Sequence, residues 1–487
     1  MHHSFENTAA AKVAPTPTVF LPGWAFDGYV LGLVKPMPHW VFPESIIDPH
    51  TLVEDLYSLL AEEDMRPVRI IGWSMGASLA LDFAGSYPEK VASLTLVSLR
   101  HQWPGKETDQ LAREFADEPA AFLKTFYRKC FLGDKSSYKN FTRLLESRYI
   151  NLLNTDVLEC LQRGLGYLSK ADCRAVPGMP TKLIHGRQDI IAPVAEIAKL
   201  PDASLEIVDN CGHLPFLAEG CSLQTELKYQ AIQKKFSRAA DTYDMYAAVQ
   251  SDVAEQLAAR LPPDNASAIY HNILEVGCGT GNFTSMLADR FPGAMIQALD
   301  FSPEMLSQAR LKQKKTDIRF ICLEAEQFLA DGIDESFDLV ASNGALQWFS
   351  DLDGSLKNIA RVLRPGGIFL CSIFGPGSLR ELGLGLKTLS GQAADVAANE
   401  FPDADTLQKS LTAYFTEGTV EEKLIGKQYH NVHDLLVHIK KTGTGGWQQN
   451  ALHPLTPSKL KRLDQWFKEN HGHCRVTYQV LSLQATK

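Results

Sequence analysis

Residues Arg69 to Leu81, RIIGWSMGASLAL, set one serine between two glycines, after a β-branched run and ahead of an alanine-rich stretch. A chain that leaves a strand and enters a helix this quickly must turn sharply, and small flanking residues permit it. The spacing predicts a buried strand over Val68–Trp73, a turn at Ser74 and a helix from Met75 to Ala84. A similar strand, glycine turn and helix recur in ILEVGCGTGNF, Ile273 to Phe283. Strand–turn–helix repeats of this kind imply parallel α/β architecture, here in two separate blocks.

A chain of 487 residues has room for roughly two to four domains, each able to bury a core. The first block runs from about Thr18 to Cys221 and the second opens near Lys234. Between them SLQTELKYQAIQKK reads as a spacer or as the last helix of block one running on. We take 1–17 as an irregular N-terminus, 18–225 as one domain with a lid over about 101–168, and 226–487 as the other. The opening residues lack an apolar core for a secretory signal, and no apolar run approaches a membrane span. Nine cysteines without a CxxC pair fit a reducing, cytoplasmic setting. The net charge of −9 argues against nucleic acid as a partner.

A serine hydroxyl is a poor nucleophile until a base takes its proton. Two later segments supply the parts. KLIHGRQDIIAP ends a strand with Asp189, and LEIVDNCGHLPF ends another with His213. Ser74, Asp189 and His213, each on the turn after a strand and in that chain order, form the catalytic set of an α/β-hydrolase. The block resembles that superfamily over about 200 residues. LPGWAFDG, GWSMG and CGHLPF look most like the pimeloyl-[acyl carrier protein] methyl ester esterases of biotin synthesis. By that resemblance the backbone N–H groups of Trp24 and Met75 form the oxyanion hole. Relatives usually have His where Pro22 stands and a longer lead-in, which predicts a sheet without its first hairpin.

From Ala121 to Ile150 seven cations (Lys124, Arg128, Lys129, Lys135, Lys139, Arg143, Arg148) face two anions, Asp134 and Glu146. One reading is a solvated helix face; the other is a dock for an acidic partner. The run falls where this fold inserts its lid, which suits a substrate tethered to acyl carrier protein. Lys124, Arg128, Lys129, Lys139, Arg143 and Arg148 are the docking candidates.

In the second block Glu275 stands inside the strand end, Gly277, Gly279 and Gly281 form the loop, and Asp300 closes the next strand. With FDLVASNGALQW and LRPGGIFL downstream, the block resembles class I S-adenosylmethionine-dependent methyltransferases over roughly 240 residues. That resemblance implies S-adenosylmethionine as methyl donor. The glycines would admit its methionine moiety, Asp300 its ribose hydroxyls, and Glu324 would replace the usual aspartate near the adenine amino group. KKFSRAADTYDMYAAVQ, SNGALQWF and SIFGPGSLREL look most like malonyl-[acyl carrier protein] O-methyltransferases. Phe236, Tyr243 and Trp348 would line the acceptor site, with Arg380 and the lysines around Lys440 as candidate partners of the malonyl carboxylate. A malonyl carboxylate is already ionised at neutral pH, so methyl transfer to it needs alignment and dryness, not a base. The run His471-Gly472-His473-Cys474 reads as a loop accident, and no metal site is expected.

Joined, the two resemblances describe one enzyme acting at both ends of a pathway. Methylation would hide the malonyl charge during chain growth, and hydrolysis would restore the acid afterwards. Two other readings compete: an idle hydrolase that only docks the carrier, and a general carboxylesterase fused to a small-molecule methyltransferase.

Overall fold

The structure is a computed structural model. It describes residues 17–33, 40, 41, 45–62, 67–173, 178–218, 220–263, 270–313, 317–390, 396–445 and 456–487. The expectation for residues 1–17 lies outside these, Pro17 excepted. The chain divides into two compact units, residues 1–231 and 232–487. The connector SLQTELKYQAIQKK lies within one helix, Ser222–Ala239.

The first unit holds strands β1 (Thr18–Leu21), β2 (Trp40–Val41), β3 (Val68–Trp73), β4 (Val91–Val97), β5 (Thr181–Gly186) and β6 (Ser204–Val208). They form a six-stranded sheet in the order β2-β1-β3-β4-β5-β6. Every pairing is parallel. Parallel sheets are covered on both faces, which explains why β1 is buried along its whole length. Among the described residues the sheet has no antiparallel strand. Between β4 and β5 the chain forms helices Gly105–Asp117, Pro119–Cys130, Lys135–Phe141 and Thr155–Leu168, the interval expected to hold the lid.

The second unit holds β7 (Asn272–Val276), β8 (Met295–Asp300), β9 (Ile318–Cys322), β10 (Phe337–Asn343), β11 (Leu363–Phe374), β12 (Glu417–Tyr429) and β13 (Cys474–Thr486). Their order is β12-β13-β11-β10-β7-β8-β9. The strands from β7 to β11 pair in parallel, whereas β13 runs antiparallel to both β11 and β12. This sheet is mixed, and the order reverses direction between β7 and β10, where an open α/β sheet leaves a crevice at its carboxyl edge.

One buried carboxylate ties the lid to the sheet. Asp27, on the loop after β1, is 1% exposed and takes a hydrogen bond from the Tyr149 hydroxyl at 2.8 Å. It also accepts from the Tyr29 backbone N–H at 2.9 Å and from Arg148 Nη2 at 2.7 Å. The Arg148 guanidinium lies over the Tyr29 ring, 4.0 Å from its centroid. Solvent at the half-exposed arginine weakens the ion pair, so the buried hydrogen bonds set most of its worth. We expect Asp27→Ala to lower the stability of the hydrolase unit by about 2–4 kcal/mol, and Asp27→Asn by less. Urea unfolding followed by near-ultraviolet dichroism measures this; a change under about 0.5 kcal/mol would contradict it.

Candidate active sites

β3 delivers Ser74 at its carboxyl end with φ 56° and ψ −118°, a backbone state that residues with a side chain rarely hold. The turn is tight enough that a Cβ on Gly76 would sit 2.1 Å from the Leu21 carbonyl oxygen. β5 delivers Asp189 and β6 delivers His213, both buried. His213 Nε2 lies 2.8 Å from Ser74 Oγ, and its Nδ1 lies 2.8 Å from Asp189 Oδ2. The other Asp189 oxygen accepts the backbone N–H groups of Ile191 and Ala192, each at 2.9 Å. Burial opposes ionisation of Asp189, but His213 and these amides outweigh it and hold the carboxyl below its usual range. The backbone of His213 is fixed as well: its N–H donates to Cys130 O, and its carbonyl accepts the Trp73 indole and the Ser98 hydroxyl.

Sequence reading missed His185. It is buried on β5, donates from Nε2 to the Ala192 carbonyl and stands 3.6 Å from Asp189 Oδ2. Burial pulls its imidazole below the usual range, so it stays neutral beside the aspartate. The strand position and the HGRQD spacing were the available signal.

Trp24 and Met75 flank Ser74, and neither backbone N–H is engaged by another group among the described residues. The Trp24 indole donates to Leu161 O at 2.8 Å, and its ring meets Phe115, Phe122 and Phe126 edge-on. Phe122 and Phe126 also wall a cavity of about 450 Å³, with Leu111, Ile190 and Ile191. Its lining includes Glu107, Glu114, Asp117 and Glu118 as well as Lys129, so this part of the lid interval is not uniformly cationic.

The basic run does not act as one surface. Lys124, Arg128, Lys129, Lys135 and Lys139 are exposed, with no ion pair among the described residues. Arg148 departs from the docking expectation, because its guanidinium is committed to Asp27 and Tyr29. Arg143, though exposed, donates to Asn140 Oδ1 at 3.3 Å.

In the second unit the loop after β7 has Gly277, Gly279 and Gly281 at φ 71°, 55° and 83°. A Cβ on Gly277 would lie 2.2 Å from that of Ala345, so neither a side chain nor a different backbone fits there. Asp300, ending β8, accepts the Gly279 N–H at 2.9 Å and the Ser302 N–H at 2.8 Å. Burial pushes Asp300 up to about 6 and Glu275 up to about 8. Glu275 Oε2 is buried without a partner among the described residues. Such a set of left-handed glycines and two buried acids raised towards neutrality fits a cationic ligand that brings its own donors. Glu324 has a structural duty too: it caps the helix Ala325–Asp331, accepting the N–H groups of Glu326 and Gln327 at 2.9 and 2.8 Å.

The three acceptor candidates come together. Phe236 lies 5.9 Å from Trp348 and 6.5 Å from Tyr243, centroid to centroid, and Phe401 meets Trp348 at 5.2 Å. Burial, then the charges of Asp300 and Asp244, raise the Tyr243 phenol above its usual range. Sequence reading missed Asp244, whose carboxylate takes Thr280 Oγ1 at 2.6 Å and Asn282 Nδ2 at 3.1 Å and so holds the segment Tyr243–Tyr246 over that loop. Arg380 is exposed and pairs with its neighbour Glu381 at 3.2 Å. Lys440 is exposed near the end of the helix Val432–Lys441. Among the described residues no group of His, Cys, Asp and Glu side chains is arranged for a metal ion, and no helix is long and apolar enough to cross a membrane. His471 packs on the rings of Trp466 and Phe467.

The alpha/beta hydrolase family model matches residues 18–220, and the methyltransferase domain model matches residues 274–371. A malonyl-[acyl-carrier protein] O-methyltransferase of Acetivibrio thermocellus is 31% identical over 269 residues, 53% of this chain and 93% of that protein. The biotin biosynthesis bifunctional protein BioHC of Teredinibacter turnerae is 26% identical over 466 residues, 83% of this chain and 79% of that protein. Its namesake in Cellvibrio japonicus is 28% identical over 402 residues, 75% of this chain and 78% of that one.

Glu275 gives this site a testable pH signature. A carboxyl raised to about 8 when folded favours the folded state while protonated, so it subtracts stability as pH rises from its ordinary value towards 8. We expect Glu275→Gln to stabilise the ligand-free protein by about 1–3 kcal/mol at pH 8.5 or so, the gain vanishing below about pH 4.5. Calorimetric unfolding across that range checks it. A gain that is independent of pH, or a loss at alkaline pH, would contradict the assignment.

Proposed function

Because the chain belongs to the malonyl-[acyl-carrier protein] O-methyltransferase family, we propose that it methylates the free carboxylate of a malonyl group on acyl carrier protein and later hydrolyses the pimeloyl methyl ester on the same carrier. It is a bifunctional enzyme of biotin synthesis with a hydrolase and a methyltransferase domain. The observation that carries the hydrolytic half is the relay Ser74–His213–Asp189, held at 2.8 Å in both links with Ser74 in a strained backbone state. A docking scaffold has no use for that strain.

For ester cleavage, His213 Nε2 takes the Ser74 proton as Oγ attacks the ester carbonyl. The Trp24 and Met75 N–H groups receive the charge that develops on the carbonyl oxygen. His213 returns the proton to the departing methanol, and water then releases the acid by the same steps in turn. Asp189 stays ionised throughout, as its lowered pKa requires.

S-adenosylmethionine, when bound, supplies a sulfonium methyl group to the second site. Gly277, Gly279 and Gly281 would admit its methionine part, Asp300 would hold the ribose hydroxyls, and Glu324 would stand near the adenine amino group. Glu275, buried beside Thr284, would stabilise positive charge once a bound cation favours its ionised form. The acceptor carboxylate needs no base, so Phe236, Tyr243 and Trp348 serve to align it and exclude water.

Hiding the malonyl charge has a physical purpose, since burying an ionised carboxylate in an apolar channel costs several kcal/mol. Having both activities in one chain creates a hazard, because the esterase could undo the methylation at once. Pimeloyl has four more methylenes than malonyl; at about 0.8 kcal/mol each this favours it by about 3 kcal/mol, roughly a hundredfold. The packing of Phe122 and Phe126 on Trp24 supports this preference. The exposed Lys124, Arg128, Lys129 and Lys139 are the carrier contacts, and Arg148 serves the fold instead.

Mass spectrometry of malonyl-carrier protein incubated with S-adenosylmethionine and Ser74→Ala tests the first activity. We expect a gain of one methyl group, and an unmodified thioester would refute it. For the wild type we expect kcat/KM on the pimeloyl ester to exceed that on the malonyl ester by roughly a hundredfold. Equal values would remove chain length as the safeguard.

A further inference from the structure

The methyltransferase unit contains several polar side-chain atoms that are buried and lack a partner among the described residues: Gln250 Oε1, Glu275 Oε2, Thr284 Oγ1, Gln347 Oε1 and Trp348 Nε1. Four are oxygens. Trp348 Nε1 is the nitrogen among them, and an indole N–H can only donate. Trp348 is 7% exposed, and its ring is held edge-on by Phe236 and Phe401. Nothing in the turn Leu346–Trp348 that bears it uses the N–H: Gln347 Nε2 serves the Gly344 carbonyl, and Asn343 is occupied by Gln250 O and the Ser372 hydroxyl.

A buried donor without an acceptor is costly, and native structures keep few of them unless a ligand completes the bond. The acceptor chemistry says which ligand. A carboxylate is acceptor-only, so a site that orients one must offer a donor, and the unpartnered amide oxygens of Gln250 and Gln347 cannot be that donor. Thr284 lies against Glu275, at the start of the helix that follows the glycine loop. The cations that sequence reading put forward are spent or exposed: Arg380 pairs with Glu381 at the surface.

We propose that Trp348 is a positioning residue of the methyl transfer, its Nε1–H holding one oxygen of the acceptor carboxylate while the other oxygen faces the methyl group. This rests on the reading of the second site as a carboxyl methyltransferase. The bond discriminates substrate from product. The malonyl carboxylate receives a charge-assisted hydrogen bond; the methyl ester formed from it is neutral, accepts weakly, and is released. Trp348 thereby adds a donor to a ring cluster whose other polar group is the Tyr243 hydroxyl.

The test uses the full-length chain with Ser74→Ala, so that no ester is hydrolysed, and with S-adenosylhomocysteine bound. Calorimetry compares malonyl-carrier protein with the methyl ester of malonyl-carrier protein, in that parent and with Trp348→Phe added. Affinity for S-adenosylhomocysteine serves as the check that the unit is folded. We expect Trp348→Phe to weaken the malonyl form by about ten- to a hundredfold while the methyl ester changes by less than about twofold. Trp348→His, which restores a ring N–H but packs worse, should bind the malonyl form better than Trp348→Phe. Equal weakening of both carriers, or a malonyl affinity unmoved by Trp348→Phe, would overturn the assignment. A parent protein that binds and methylates no malonyl-carrier protein would overturn the functional reading itself.

Discussion

Both active sites depend on backbone approaching closer than any side chain allows, at the carboxyl ends of parallel strands. In the hydrolase unit Gly76 brings the Ser74 turn against the Leu21 carbonyl, where a Cβ would be 2.1 Å away. In the methyltransferase unit Gly277 touches Ala345 with a left-handed backbone. The parallel strands follow from this need: each ends at one edge, and successive turns can bring Ser74, Asp189 and His213 to one place although 139 residues separate the first and last. Remove the close approach, and the hydroxyl and the loop amides no longer point where chemistry can use them.

Charge is managed in opposite ways in the two units. Asp189 is buried yet held ionised by His213 and two amides, which suits a group that must steady an imidazolium. Among the described residues Asp300 and Glu275 are buried without a cation beside them, and burial lifts both towards neutrality. A site kept in this state sacrifices stability for a ligand that brings positive charge and hydroxyl donors. Trp348 is its counterpart, a donor lacking an acceptor. The hydrolase site is complete before substrate arrives; the methyltransferase site is completed by what it binds.

Much of this was legible in sequence because local rules decide it. A serine between glycines after β3, an acid after β5 and a histidine after β6 each sit where strand and turn chemistry must place them. The glycine loop and Asp300 were legible for the same reason, whereas the ring residues Phe236, Tyr243 and Trp348 came only from the resemblance to known methyltransferases. What sequence hid is set by packing between distant segments. Arg148 reads as one cation among seven, and only the fold brings it to Asp27, 121 residues earlier. The acidic lining formed by Glu114, Asp117 and Glu118 lies just ahead of the basic run, yet the shared cavity appears only once the two lid helices pack. Asp244 and His185 look like ordinary polar residues until their partners are in place. The missing partner of Trp348 Nε1 is likewise a property of three dimensions alone.

The central claim is that one chain both hides and uncovers a carboxylate, at separate sites. Growth without biotin, in a bacterial host lacking both its malonyl-carrier methyltransferase and its pimeloyl ester esterase, tests this most directly. The intact chain should restore growth, Ser74→Ala and Asp300→Ala should each fail, and the two variants produced together as separate chains should succeed. Growth supported by Ser74→Ala alone, or an intact chain that restores none, would contradict it.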